Sequence, residues 1–111
     1  MSERAASATD AVLLSLYVHE RHRHAHLLLY EWLLEEARKL GIPGGSAYRA
    51  IASYGRHGVL HEEHFFELTA NLAVRVDFVL AQAQAQAMLA HLTREGVSVF
   101  YAITPATFGT T

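Results

Sequence analysis

The chain has 111 residues, 51% of them hydrophobic, with 9 basic and 11 acidic side chains and a formal net charge of −2. It is too apolar for a disordered protein, too short for two ordinary domains, and lacks the basic footprint of a general nucleic-acid binder. The absence of cysteine excludes a disulfide framework, a thiolate metal site and a cysteine nucleophile, and fits a cytoplasmic protein.

Residues 1–10 (MSERAASATD) are small and polar and read as a disordered tail. Residues 11–19 (AVLLSLYVH) predict a strand, with Leu14, Leu16 and Val18 on one face and Leu13, Ser15 and Tyr17 on the other. Both faces are largely apolar, so both call for a cover. The apolar run is short and ends at Glu20 and Arg21, which fits neither a signal peptide nor a membrane span. Residues 20–26 (ERHRHAH) form a polar connection, and residues 27–40 predict a helix with Leu29, Leu33, Ala37 and Leu40 on its buried stripe. Gly41 suits the position after its last turn, and Pro43 blocks continuation.

Residues 46–54 predict a second strand, with Tyr48, Ala50, Ala52 and Tyr54 on one face and Arg49, Ile51 and Ser53 on the other. Residues 55–58 (GRHG) make a basic turn, and residues 59–71 read as a short helix or a loop. Residues 72–76 predict a strand, and Asp77 is placed to cap a helix running to residue 95. Ala85, Met88, Leu89 and Leu92 form that helix's stripe, and Gly96 stops it. Residues 97–103 predict the last strand, and residues 104–111 a tail.

The order is β-α-β-loop-β-α-β, the α+β, ferredoxin-like arrangement of a four-stranded antiparallel sheet with both helices on one face. Two helices cover one face only, so the apolar second face implies a symmetric homo-oligomer.

Across residues 12–103 the sequence resembles the PII-like proteins of the domain of unknown function 190 type. The residues that carry the resemblance are Glu20, then Leu29, Tyr30 and Glu31, the run from Ala37 through Arg38 and Gly41-Ile42-Pro43-Gly44, Arg49, Tyr54-Gly55, His61, Leu68 to Leu72, Asp77 and Gly96. Two glycines of the family pattern are replaced by Ala50 and Ser53, and the Asp and Pro around the family's leucine by Asn71 and Ala73. The resemblance implies a homotrimer packed around its three-fold axis. It also implies a mobile loop over residues 56–70 that contacts a partner protein such as a membrane transporter or enzyme. In PII proteins adenine nucleotides sit in clefts between subunits near the base of that loop, which Tyr54-Gly55-Arg56-His57-Gly58 resembles here. The glycine- and lysine-bearing segment with which PII proteins grip phosphate is absent, and only Arg94-Glu95-Gly96 stands in its place.

Two histidine clusters carry the remaining chemistry. His19, His22, His24 and His26 interleave with Arg21 and Arg23, while His57, His61 and His64 accompany Glu62, Glu63 and Glu67. His22, His24, His26, His57, His61 and His64 could chelate Zn²⁺ or Cu²⁺, or act as solvated cations that switch charge on mild acidification. The spacing of His61 and His64 is not that of the metalloprotease helix. Arg49, in mid-strand, is suited to an anion or to a salt bridge across an interface. Trp32, Tyr30, Phe65 and Phe66 suit either packing or stacking on a base. No nucleophile elbow or phosphate loop is present, so an enzyme is the least supported class. The leading expectation is a regulatory trimer that binds a small anionic effector, with an adenine nucleotide as candidate. Glu20, Arg23, Arg49, Tyr54, Gly55, Arg56 and His57 would be its contacts. The alternative is a metal-binding or metal-responsive trimer.

Overall fold

In the computed structural model, residues 11–54 and 72–111 are described. Strand β1 (Ala11–His19) is followed by a small hairpin, β2 (Arg23–His24) and β3 (Leu27–Leu28), and then by helix α1 (Leu29–Lys39). Strand β4 (Ser46–Arg49) precedes the undescribed segment; β5 (Ala73–Ala81), helix α2 (Gln82–Arg94) and β6 (Phe100–Pro105) follow it. The four long strands form one antiparallel sheet in the order β4-β5-β1-β6, the ferredoxin-like order, with the chain's first strand inside the sheet.

The alternation expected of β1 fixes the architecture. Val12, Leu14, Leu16 and Val18 pair in register with Leu80, Phe78, Val76 and Val74 of β5. These eight side chains join Leu29, Trp32, Leu33 and Ala37 of α1 and Ala85, Met88 and Leu92 of α2 in one buried core. Both helices therefore cover the same face. Each ends as its glycine dictates. Gly41 and Gly96 lie at φ +85 and +73, and the residue after each donates its N–H back to the carbonyl of Ala37 or Leu92.

Several expectations needed correction. Residues 20–26 contain half of a hairpin rather than a plain connection. Leu27 and Leu28 belong to it, so the helix begins at Leu29 and ends at Lys39. The second strand stops at Arg49 rather than residue 54. Asp77 is not a helix cap. The strand continues through it to Ala81, because Phe78 and Leu80 keep the period-two pattern that feeds the core. The Asp77 carboxylate instead accepts from Ser15 Oγ at 2.8 Å and from Arg75 Nε at 3.0 Å. The second helix takes its start signal from Gln84, whose Oε1 accepts the Ala81 N–H at 3.0 Å. The last strand spans Phe100–Pro105, three residues later than the reading of 97–103 began it. The segment 59–71, read as helix or loop, lies outside the described residues.

Candidate functional site

Where β1 ends, the chain leaves the sheet beside the start of β5, one strand in from the edge strand β4. The Glu20 N–H donates to the Leu72 carbonyl at 3.0 Å, and the Ala50 N–H to the Ala73 carbonyl at 2.9 Å. Thus the two ends of the described chain that flank residues 55–71 meet next to Glu20. An open cleft of about 340 Å³ lies there, lined by Glu20, Arg21, Leu28, Tyr30, Ala47, Arg49 and Val74.

Arg49 stands opposite Val74 and so projects to the helix-covered side of the sheet, at its uncovered edge. Its Nε lies 2.9 Å from Glu20 Oε1, with 69% of its side chain exposed against 16% for Glu20. That contact pairs charges without hydrogen-bond alignment. Glu20 Oε1 is buried and receives no hydrogen bond from the described residues. A buried carboxylate oxygen lacking a donor is costly. Arg49 therefore faces solvent as a cation held loosely by its carboxylate, with donors left over for an anion.

The hairpin makes one wall of the cleft, through Arg21 and Leu28 at its base. The Leu29 N–H closes that base on the His22 carbonyl at 2.6 Å. Its two central turn residues, Ala25 and His26, both have positive φ, 53 and 71, which matches the sign pattern of the tight turn that suits strand twist. Neither is glycine, so the turn carries backbone strain. Arg23 turns back on this turn, its Nη2 donating to the His26 carbonyl at 3.1 Å, and is not among the cleft's lining residues.

The first histidine cluster is dispersed. His24 meets the Trp32 ring edge-on at 4.4 Å, while His19, His22 and His26 are exposed. Among the described residues no group of three His, Cys, Asp or Glu side chains could hold a metal ion. His22, His24 and His26 therefore do not form the chelate that their spacing allowed. Gly55, Arg56, His57, His61 and His64 lie outside the described residues, and Tyr54 is the last residue before them, with its side chain exposed. Trp32 is buried in the core and unavailable to a base, whereas Tyr30 lines the cleft.

Sequence reasoning missed Arg21 as a second cleft cation and His91 as a partnered residue. His91 Nε2 lies 2.8 Å from Glu36 Oε1, and its ring stacks on Trp32 at 6.1 Å with 12° between planes. The bond from His91 holds the Glu36 carboxyl below its ordinary 4.5, against a smaller opposing effect of burial and with further help from Lys39. The helical spacing of Trp32 and Glu36 on α1 was visible, but nothing in the sequence placed His91 of α2 against them.

The fold and this match along the chain are shared with known proteins. Residues 11–103 match the profile of DUF190, described as an uncharacterized ACR. The chain belongs to the DUF190 family. A UPF0166 protein of Aquifex aeolicus is 28% identical over 97 residues, covering 80% of this chain and 92% of that one. A UPF0166 protein of Methanocaldococcus jannaschii is 32% identical over 69 residues, covering 62% and 63%. The crystal structure of a Thermus thermophilus chain designated a PII-like signaling protein superimposes with a TM-score of 0.54 at 19% identity, covering 86% of this chain and 88% of that one. This DUF190 chain is thus similar in fold to that PII-like protein, and its sheet order is the ferredoxin-like one. Among the described residues no helix is long and apolar enough to cross a membrane.

Proposed function

We propose that this chain is a PII-like regulatory protein that takes a small anionic effector in the Glu20–Arg49 cleft, with an adenine nucleotide as the candidate. Arg49 and Arg21 supply charge, and Tyr30 offers an apolar ring at the same opening. The observation that carries the reading is the loosely paired, exposed Arg49 beside a buried Glu20 oxygen without a donor. An anion that draws the guanidinium forward replaces a poor contact with aligned, charge-assisted bonds.

The cleft lies where the chain enters and leaves residues 55–71. Occupancy there is suited to act on that segment, and through residues 56–70 on a protein partner, as an order–disorder switch. Cover of the outer sheet face by neighbouring copies, as in a homotrimer, would bring a second subunit to the edge strand and complete the cleft. Tyr54, Gly55, Arg56 and His57, at the exit of β4, would then contribute to the effector's contacts. Arg23 is left out of this reading, since it braces its own turn.

Calorimetric titration with ATP, ADP and AMP tests the proposal. Binding is expected, with at least about a tenfold loss in Arg49→Ala, the scale of one charge-assisted contact. No heat with any of the three nucleotides, or equal binding by the variant, sinks it.

A further inference from the structure

The cleft wall is tied to the far side of the helix layer through one indole. His24 sits on the β2–β3 hairpin, in the register pair next to Arg23↔Leu28, and Leu28 lines the cleft. His24 touches Trp32, and Trp32 is stacked by His91 of α2, which is bonded to Glu36 of α1. One path thus runs from α2 through the indole to the hairpin, and the hairpin is otherwise a pair of two-residue strands with a strained turn. An element so small does not hold its own position in water.

We propose that Trp32 is a strut that seats the hairpin as a wall of the Glu20–Arg49 cleft, and that protonation of His91 stiffens it and so favours anion binding. This rests on the cleft reading given above. An ionised Glu36 only accepts, so neutral His91 must already donate from Nε2. A second proton places a full positive charge against a carboxylate and beside the face of an indole, and both contacts strengthen. α1 presents Glu36, Trp32 and Lys39, whose Nζ donates to Glu36 Oε2 at 3.1 Å and partly opposes the new charge. Arg94 follows three residues on along α2 and Glu95 caps it, and the hairpin reaches the stack through His24. The sheet beneath α2 offers the apolar side chains Val12, Leu14, Leu16, Val76, Phe78 and Leu80.

Trp32 is the only tryptophan, so its emission reports on the strut without a label. Emission is expected to fall in one step between pH 8 and pH 5.5, because an imidazolium quenches a stacked indole. His24 also meets this indole, so the step is read in His24→Phe, which retains a ring edge; it is expected there and is lost when His91→Gln, which keeps an N–H donor but cannot charge, is added. A step that survives in the His24→Phe/His91→Gln double variant, or a His24→Phe protein without one, overturns the strut's proton dependence. Coupling to the cleft is read with inorganic sulfate, whose own charge is constant over this range. Wild-type protein should bind sulfate roughly threefold to tenfold tighter at pH 6 than at pH 8, the scale of a part-buried cation–π and ion-pair gain. His91→Gln and Glu36→Gln should bind it with a much smaller ratio. An unchanged ratio in both variants overturns the coupling. Arg49→Ala separates the two ideas. Sulfate binding that ignores this change at both pH values, or is absent from the wild type, defeats the cleft reading and the coupling, while the Trp32 step still decides the strut.

Discussion

The two faces of the sheet are made by the same strands and differ in what covers them. On the helix side Leu14, Leu16, Val76 and Leu80 are fully buried, and the side chains are aliphatic with one phenylalanine between them. On the outer side Tyr17, Tyr48, Val79 and Phe100 stand 37–50% exposed, and a polar line runs among them. Ser15 bonds Asp77, Asp77 bonds Arg75, and the Arg75 guanidinium lies 4.9 Å over the Tyr48 ring. Tyr17 and Phe100 pack at 5.6 Å. A face that only its own helices bury needs no polar groups. Aromatic residues set around a satisfied Arg–Asp pair are the composition of an association surface, where rings supply area and the polar pair fixes register. The lesson is that alternation along one strand can give two faces of different composition, one built for the chain's own helices and one for the proposed association with another copy.

The sharpest way to break this contrast is to truncate adjacent residues of β1. Leu16→Ala empties a site on the covered face and should cost about 2–5 kcal/mol in urea unfolding, with a lower midpoint and little change in slope. Tyr17→Ala, one position along, should leave the fold's secondary structure intact by circular dichroism and shift sedimentation from the proposed trimer toward monomer. Equal loss of secondary-structure stability in both, with no change in mass, would remove the distinction between the faces. A smaller effect tests how tightly the covered face is filled. A Cβ on Gly45 would overlap the Phe78 ring and crowd Leu34 Cδ2 at 3.1 Å. Phe78 is buried, so its ring can yield only by displacing its core neighbours. Gly45→Ala should therefore cost about 1–3 kcal/mol by overpacking, and a neutral result would show that the ring gives way.

Much of this was legible in the residues. Period-two alternation in AVLLSLYVH gave β1 and the side of each residue, and the two glycine stops gave both helix ends. What was misread failed for physical reasons. Asp77 carries the chemistry of a helix cap, but Phe78 and Leu80 bury more apolar area by continuing the strand, and Ser15 satisfies the carboxylate across it. The hairpin went unseen because Ala25 and His26 are not residues that announce positive φ. The cleft was half legible. Glu20 and Arg49 were singled out, but their pairing spans 29 positions and needs the sheet register to bring it about, as the Arg49↔Val74 pair shows. The histidine count pointed to a cluster, yet a hairpin sends His24 inward to Trp32 and leaves His22 and His26 in solvent.

The smallest expected effect lies on the outside of the covered face and works through protons. Glu36 is held below the ordinary 4.5 of its side chain, first by its bond from His91 and then by Lys39, against the opposing effect of burial. A depressed carboxyl stabilises the folded state in full where both states are ionised, and that stabilisation drains away over the range in which the unfolded chain binds the proton and the folded chain does not yet. Its contribution is therefore whole above pH 4.5 and is lost as pH falls from there through the lower value of the folded state. Chemical unfolding followed from pH 5.5 down to pH 3 should show stability declining in the wild type and declining less steeply in Glu36→Gln. The variant tests the carboxyl and not the fold, since the amide keeps the size of the side chain and an oxygen to accept from His91. Parallel curves for the two proteins would mean that the Glu36–His91 bond joins the helices without storing any preference for the ionised form. In that case the covered face, like the core beneath it, would owe its pH response to the other carboxyl groups.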